Sequence, residues 1–155
     1  FNGNISTMMM ASPHFSVSEF TFSETASRHG IDNSCPDDNI LDNILITANY
    51  MESVRELLNH KPIFISSGYR CLALNELLGS KATSSHTKGL AADFTCRQFG
   101  TPNEIVFAII NSDIPYDQAI VEFDKWTHLS FCEDQETPRR QALVINKEGA
   151  MIYSN

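Results

Sequence analysis

The feature that most constrains the fold is an apolar stripe in residues 36–61, where apolar side chains recur every three or four positions. Such spacing places them on one face of an α-helix. Pro36 and the two aspartates after it favour a helix N-terminus at the start of this segment. We therefore expect one long helix whose stripe is buried in the core and does not form a ligand groove. The stripe consists of Ile40, Ile44, Ala48, Met51, Val54 and Leu58.

The remaining elements are shorter and change type along the chain. Two capping boxes, Ser16 with Glu19 and Thr21 with Glu24, predict a helical turn and a short helix ahead of the long one. After the long helix, short helices are expected at 72–79 and 102–112, with a polar loop at 81–89. Short apolar runs predict strands at 62–68, 90–96, 117–123 and 126–132, and a hairpin at 141–154.

This order of elements predicts an α+β fold, in which N-terminal helices pack on a small, mainly antiparallel sheet. A chain of 155 residues suits one domain and buries enough surface to need no disulfides or metal staples. We expect residues 1–14 to be an N-terminal extension and residues 15–155 to form the domain that carries the activity.

Composition excludes several classes of protein. The formal net charge of −8 argues against a nucleic-acid-binding surface, which needs a basic patch. No apolar run approaches the roughly 18 residues of a membrane span, and the first residues lack the basic and apolar regions of a signal peptide. We therefore expect synthesis in the cytoplasm, with neither nucleic acid nor membrane as a partner. The four cysteines form no C-x-x-C pair, so free thiols are expected.

Three polar residues lie in or beside predicted strands and suggest chemistry. Asp93 stands in an otherwise apolar strand, where a buried carboxylate is costly unless it is paired. His86 precedes that strand, and His128 lies in the apolar segment "WTHLSF". Two histidines and one carboxylate are typical ligands of a catalytic zinc ion and leave a fourth coordination position open. Spacing alone leaves two interpretations, a metal site and three unrelated polar residues.

Three motifs in one order indicate a family. They are Ser67-Gly68-Tyr69-Arg70, then Ser84-x-His86-x-x-Gly89-x-Ala91-x-Asp93, then Trp126-x-His128. Together they resemble the D-alanyl-D-alanine metallopeptidase family, which includes zinc D,D-carboxypeptidases, D-alanyl-D-alanine dipeptidases and phage L-alanyl-D-glutamate endopeptidases. The resemblance extends from about residue 15 to the C-terminus. It implies one zinc ion, held by His86, Asp93 and His128.

The resemblance also implies a carboxylate base shortly before the last histidine, and both Glu122 and Asp124 qualify. Sheet register separates them. A loop of Asp124, Lys125 and Trp126 would put Glu122 directly opposite His128 and facing the metal, whereas a two-residue loop would turn it to the other face. Relatives with the pattern E-F-x-x-W-x-H carry glutamate at this position, so Glu122 is the favoured base and Asp124 the alternative.

Two further residues are candidates for substrate binding. The resemblance implies that Arg70 holds a substrate carboxylate or stabilises a developing oxyanion, roles that suit its planar guanidinium. A structural ion pair is the alternative. Ser84 matches a family position that hydrogen-bonds the substrate, although a serine in a loop also caps turns. Some relatives carry His-x-His in the last motif, and here Trp126 stands at the first of those positions.

The function that follows from the resemblance is zinc-dependent hydrolysis of a peptide bond in peptidoglycan stem peptides or their precursors, of the D-Ala-D-Ala or L-Ala-D-Glu type. We expect a monomeric, single-domain phage or phage-derived lysin that acts on the cell wall after release or as part of a virion. A stand-alone D,D-carboxypeptidase or dipeptidase is a second possibility. A catalytically inactive structural or binding module on the same scaffold is the third.

Overall fold

The computed structural model describes residues 9–154, and the fold is α+β as the sequence predicts. Most of the expected N-terminal extension, residues 1–14, lies outside the described residues, so the domain boundary stays a prediction. Its described part contains strand β1 (Met10–Ser12), which pairs antiparallel with β2 (Phe15–Ser16). Within residues 9–154, no helix combines the length and apolar character needed to cross a membrane.

Two short helices follow this ribbon, α1 (Val17–Thr21) and α2 (Glu24–Arg28). The first capping box is confirmed, because the Ser16 hydroxyl accepts from the backbone N–H of Glu19, whose carboxylate accepts in turn from the N–H of Ser16. The second is wrong. Ser23 caps α2 by accepting from the N–H of Ala26, and Thr21 instead belongs to the end of α1.

The long helix is α3 (Asp38–Leu57), and Asp37 caps its N-terminus by accepting from the N–H of Ile40. The predicted stripe is confirmed as core. Ile44, Ala48, Met51, Val54 and Leu58 are fully buried, while Ile40, at the first turn, is half-buried. The helix packs on β1, α1 and α5 (Pro102–Ile110), because its apolar face can be removed from water only by a second layer.

The main sheet has six strands in the order β3-β4-β6-β5-β7-β8. Their bounds are β3 (Phe64–Ser67), β4 (Ala91–Thr95), β5 (Gln118–Glu122), β6 (Trp126–Ser130), β7 (Gln141–Asn146) and β8 (Gly149–Ile152). Every neighbouring pair is antiparallel except β5 and β7, which run parallel. The sheet is therefore mainly antiparallel as predicted, and the C-terminal hairpin β7–β8 is confirmed.

The two faces of the central strands differ in chemistry. Ala92 and Phe94 of β4 and Leu129 of β6 point into the core, where α5 packs on β5 and β6. Side chains alternate between faces along a strand. Asp93 and His128 therefore project from the opposite face, away from the helices. A 3₁₀ helix (Ser85–Lys88), inside the segment predicted to be a polar loop, contacts β4, and helix α4 (Leu72–Leu77) contacts this 3₁₀ helix.

Candidate metal centre

Three side chains converge on the sheet face that lies away from the helices. His86 comes from the 3₁₀ helix, Asp93 from β4 and His128 from β6. The imidazole Nε2 of His86 lies 3.2 Å from Asp93 Oδ1, and Nδ1 of His128 lies 2.8 Å from the same oxygen. All three residues are buried, and one ligand atom from each lies within 4.8 Å of the others. The geometry thus brings together the residues that the sequence singled out as candidate ligands.

Strand pairing explains how Asp93 and His128 meet. The two residues are direct partners across the antiparallel β4–β6 pair, and directly opposed side chains share one face about 5 Å apart. Their neighbours Ala92, Thr127 and Leu129 are completely buried on the opposite face. A register shift of one residue would bury the two polar groups in the core, so the apolar neighbours fix the pair on the outer face.

The turn after His86 depends on Gly89. Its φ of +77° is a left-handed backbone conformation that side chains with a Cβ rarely adopt. A Cβ there would also lie 3.2 Å from Ile44 Cγ1 and 3.3 Å from the carbonyl oxygen of Ile40 on α3. The glycine therefore lets the chain leave the 3₁₀ helix, contact α3 and enter β4 within a few residues.

Hydrogen bonding fixes the tautomer of His86. Its Nδ1 lies 2.6 Å from the carbonyl oxygen of Gly68, which can only accept, so Nδ1 carries the proton. The Nε2 lone pair then points to Asp93. Burial lowers the pKa of His86, which keeps the ring neutral. A neutral imidazole whose other nitrogen donates to a carbonyl is the usual form of a metal-bound histidine.

Asp93 is ionised despite its burial. Desolvation by itself would raise the pKa of its carboxyl, but the interactions with the two neighbouring imidazoles outweigh it, so the pKa lies well below its usual range. A buried carboxylate and two imidazoles around one point form a donor set of the kind that binds zinc at catalytic sites. The residues present therefore fit one zinc ion.

Glu122 lies in the same cleft, a cavity of about 810 Å³ that also contains the three candidate ligands. In the hairpin, Glu122 pairs with Trp126 and Ile120 pairs with His128. The loop is thus Phe123–Lys125, and the expected direct pairing of Glu122 with His128 is wrong. The shift is two positions, so Glu122 keeps the face of His128. Burial, and next the charge of Asp93, raise the pKa of Glu122.

Asp124, the alternative base, lies elsewhere. It occupies the hairpin turn with a φ of +55° and lines a separate cavity beside Thr95 and Arg97. The side chain of Glu122, two residues earlier, is at the end of a strand and lines the cleft. The geometry therefore favours Glu122 of the two candidate bases.

Arg70 and Ser84 both line the cleft. The guanidinium Nη2 of Arg70 lies 3.3 Å from Asp93 Oδ2, the carboxylate oxygen that faces away from the histidines, and its Nε donates to the Ser67 hydroxyl at 3.1 Å. The hydroxyl of Ser84 accepts from the N–H of His86 at 3.3 Å and caps the 3₁₀ helix. Both structural alternatives raised by the sequence are therefore present, within reach of the cleft.

The comparison with known families agrees with this geometry. A family model described as Peptidase M15 matches residues 13–130, which is most of the chain and includes all three motifs. The chain belongs to the peptidase M15 family. This is the D-Ala-D-Ala metallopeptidase family that the motifs resemble. No curated protein matches the chain in a sequence search.

As an M15 member, the protein is a hydrolase of the metallopeptidase class. The cluster of His86, Asp93 and His128 is its candidate metal site, and the family is typically zinc-dependent. Matching ends at residue 130, so β7 and β8 lie beyond the part of the chain that the M15 model describes.

Sequence reasoning missed the residues that hold this M15 site in place. Asn43 donates to the carbonyl of Lys88 at 2.9 Å, and the Thr47 hydroxyl donates to the carbonyl of Gly89 at 2.7 Å. Both are buried on α3, and together they fasten the turn that follows His86. Their signal was two polar residues four positions apart on the inner side of the long helix, a spacing that places them side by side.

Asn33 likewise holds in place the segment that carries Arg70. Its side-chain amide donates to the carbonyls of Thr21 and Tyr69 at 2.8 and 2.9 Å, and its oxygen accepts from the N–H of Cys71 at 2.7 Å. These bonds fix the backbone on both sides of Arg70. Asn33 lies in an irregular segment, where no periodic pattern distinguishes a buried amide from an exposed one.

Proposed function

We propose that this M15 peptidase is a zinc-dependent enzyme that hydrolyses a peptide bond in peptidoglycan stem peptides or their precursors, of the D-Ala-D-Ala or L-Ala-D-Glu type. The observation that carries the proposal is the single cleft shared by the candidate ligands and Glu122. Metal-assisted hydrolysis requires a metal site and a nearby general base, and a carboxylate whose pKa is raised suits the role of that base.

In this proposal His86, Asp93 and His128 hold one zinc ion. The bound ion would supply Lewis acidity, which polarises the scissile carbonyl and acidifies water. Arg70 holds the second oxygen of Asp93 and so orients this carboxylate toward the histidines. The carbonyl of Gly68 does the same for the ring of His86.

Glu122 is the proposed general base and acid. Its carboxylate takes a proton from the attacking water as the new C–O bond forms at the scissile carbonyl. It then delivers that proton to the amide nitrogen as the C–N bond breaks, which releases the amine. Burial suits the residue to both tasks, because a pKa above the ordinary glutamate value makes the carboxylate a stronger base.

Arg70 and Ser84 are the proposed substrate contacts. The guanidinium of Arg70 lies at the cleft beside Asp93 and has further N–H donors for a substrate carboxylate or for the oxyanion that develops at the carbonyl. The Ser84 hydroxyl accepts from the N–H of His86 and keeps its own proton to donate to the substrate.

The proposal extends to biological setting. We place the protein at the bacterial cell wall as a monomeric phage or phage-derived lysin, which reaches its substrate after release or as part of a virion. The support is the resemblance to phage L-alanyl-D-glutamate endopeptidases together with the family match.

Digestion of purified peptidoglycan tests the activity. The zinc-loaded protein should release new termini that mass spectrometry identifies as alanine or as a D-glutamyl amine, and a chelator should abolish that release. The His86→Ala variant, which lacks one proposed ligand, should neither retain stoichiometric zinc nor release termini. Intact peptidoglycan after incubation with the zinc-loaded protein would contradict the proposal and favour an inactive binding module.

A further inference from the structure

The wall of the cleft includes a strand that lies beyond the family match. Leu143 and Ile145 of β7 line the same cavity as Glu122 and His128. The parallel register pairs Ile120 with Leu143 and Glu122 with Ile145, so these side chains share the outer face of the sheet. We call Leu143 and Ile145 the apolar wall. The C-terminal hairpin therefore enlarges the cleft on the side of β5.

The position of the apolar wall is fixed by the segment that leads into β7. Residues 131–140 connect β6 to β7 and pass the start of β5, which lies between these two strands in the sheet. Strand β7 then runs parallel to β5. Asp117 holds this connecting segment, because its carboxylate accepts from the backbone N–H of Arg139 at 3.0 Å and from its guanidinium at 2.7 Å. Arg140 adds a contact in which its guanidinium lies 4.5 Å from the centre of the Tyr116 ring. The wall is therefore a built part of the cleft.

Polarity changes across the outer face of the sheet. On the β4 side the cleft presents Arg70 and Asp93, whereas strand β7 itself presents the apolar wall, and Arg139 lines the cleft just before this strand begins. Both residues of the wall are only half-buried. Ile152 of β8, the strand partner of Leu143, is 84% exposed and extends the apolar surface to the sheet edge. Half-buried apolar side chains gain free energy when a ligand covers them.

Distance relates the wall to the reacting bond. Strand β7 is two strands away from β6, and adjacent strands are about 4.8 Å apart, so the wall lies roughly 10 Å from the strand of His128. An extended peptide covers that distance in about three residues. The cavity of about 810 Å³ is of the size that binds a ligand of several residues.

We propose that Leu143 and Ile145 form a specificity subsite for the substrate peptide, which binds the aliphatic part of the stem-peptide lysine side chain, the second residue from the scissile bond in either bond type. The inference rests on the proposed function for the identity of the peptide. The substrate peptide is the proposed occupant, because the apolar wall and the proposed catalytic groups line one continuous cavity. The subsite selects longer stem peptides over the isolated dipeptide that contains the scissile bond.

Kinetics on two lengths of substrate test this subsite. The substrates are the stem pentapeptide L-Ala–γ-D-Glu–L-Lys–D-Ala–D-Ala and the dipeptide with the cleaved bond alone. Leu143→Ala and Ile145→Ala should each lower kcat/KM for the pentapeptide about tenfold, through KM, and leave the dipeptide unchanged. Met151→Ala is the control, since Met151 pairs with Val144 and lies outside the cleft residues. Equal effects on both substrates, or none, would overturn the subsite.

A binding readout separates this inference from the proposed function. In the Glu122→Gln variant, the ¹³C-methyl signals of Leu143 and Ile145 should shift when the pentapeptide is added, and those of buried Ile109 should not. Methyl shifts without hydrolysis by the wild type would retain the subsite and overturn the peptidase. Hydrolysis by the wild type, with unshifted methyl signals and with unchanged kcat/KM in Leu143→Ala and Ile145→Ala, would retain the peptidase and overturn the subsite. Neither hydrolysis nor shifts would overturn both.

Discussion

Glu122 and Asp124 are two carboxylates with two environments, although only one residue separates them. The side chain of Glu122 ends a strand and lines the cleft, where burial raises its pKa. Asp124 occupies a turn and lines another cavity. A catalytic carboxylate must reach the substrate. Of the two, Glu122 lines the cleft with the candidate ligands, which is why it is the proposed base.

This difference leads to a prediction at the scale of one residue. Glu122→Gln should retain stoichiometric zinc, because the glutamate is not among the proposed ligands, but should lose about 100- to 10,000-fold in turnover of stem peptide. Zinc content by mass spectrometry and kcat on the pentapeptide are the measurements. Asp124→Asn is the matched control and should keep wild-type turnover. If the losses were reversed, Asp124 would be the base.

At the scale of elements, the candidate metal site depends on a helix that contributes none of the candidate ligands. Helix α3 buries its apolar stripe in the core and presents Asn43 and Thr47 to the turn after His86. The packing of the helix thereby fixes the backbone of Lys88 and Gly89. Gly89 allows this close approach, because a Cβ at this position would lie too near Ile44 and the backbone of α3. The core and the site are therefore coupled through one turn.

Thr47→Val tests this coupling. The change keeps the shape of the side chain but leaves the buried carbonyl of Gly89 without its donor, which costs about 1–3 kcal/mol in the free energy of unfolding. Zinc affinity should fall about tenfold, as expected when a group that supports a ligand is removed. Urea unfolding and calorimetric zinc titration measure the two effects. Ser53→Ala, on the exposed side of α3, should change neither; unchanged zinc affinity in Thr47→Val would contradict the coupling.

At the scale of the whole molecule, the return crossing between β6 and β7 joins the family-matched part of the chain to the C-terminal hairpin. The bidentate pair of Asp117 and Arg139 holds this segment, with the Asp117 side chain largely buried and that of Arg139 largely exposed. Hydrogen bonds from Arg139 lower the pKa of Asp117. The pair therefore stabilises the arrangement of the cleft wall in its ionised form.

The sign of the pH dependence follows from that lowered pKa. Asp117 contributes its stability fully above the ordinary aspartate pKa of about 3.9 and loses it as the pH falls through the lower folded-state pKa. Asp117→Asn should therefore cost about 1 kcal/mol at pH 7, a value reduced by the exposure of Arg139. The difference from the wild type should shrink toward zero as the pH falls below about 4.

Urea unfolding of both proteins across this pH range is the measurement. Asp113→Asn is the control and should match the wild type throughout, because this exposed aspartate lies in the same segment between α5 and β5. A difference between Asp117→Asn and the wild type that stays constant with pH would show that the carboxylate charge is not what holds the crossing.

Local periodicity predicted much of this molecule. The spacing of Ile44, Ala48 and Met51 was enough for α3, and the single carboxylate in an otherwise apolar strand was enough to mark Asp93 as a residue that needs a partner. The Ser16 capping box was readable because both partners lie within one turn. Each of these features depends on residues a few positions apart, which the sequence shows directly.

The rest was decided by contacts between distant segments. The loop Phe123–Lys125 set the register that places Glu122 opposite Trp126, and no local pattern distinguishes this loop from one shifted by a single residue, which would move the partner of Glu122 by two positions. The parallel pairing of β5 with β7, the proton on Nδ1 of His86 and the anchoring of its turn by Thr47 likewise require partners from elsewhere in the chain. The sequence determined which residues are available to bind a metal. Only the tertiary structure decided what surrounds them, because strand pairing and hydrogen bonding over long separations depend on the packing of the whole chain.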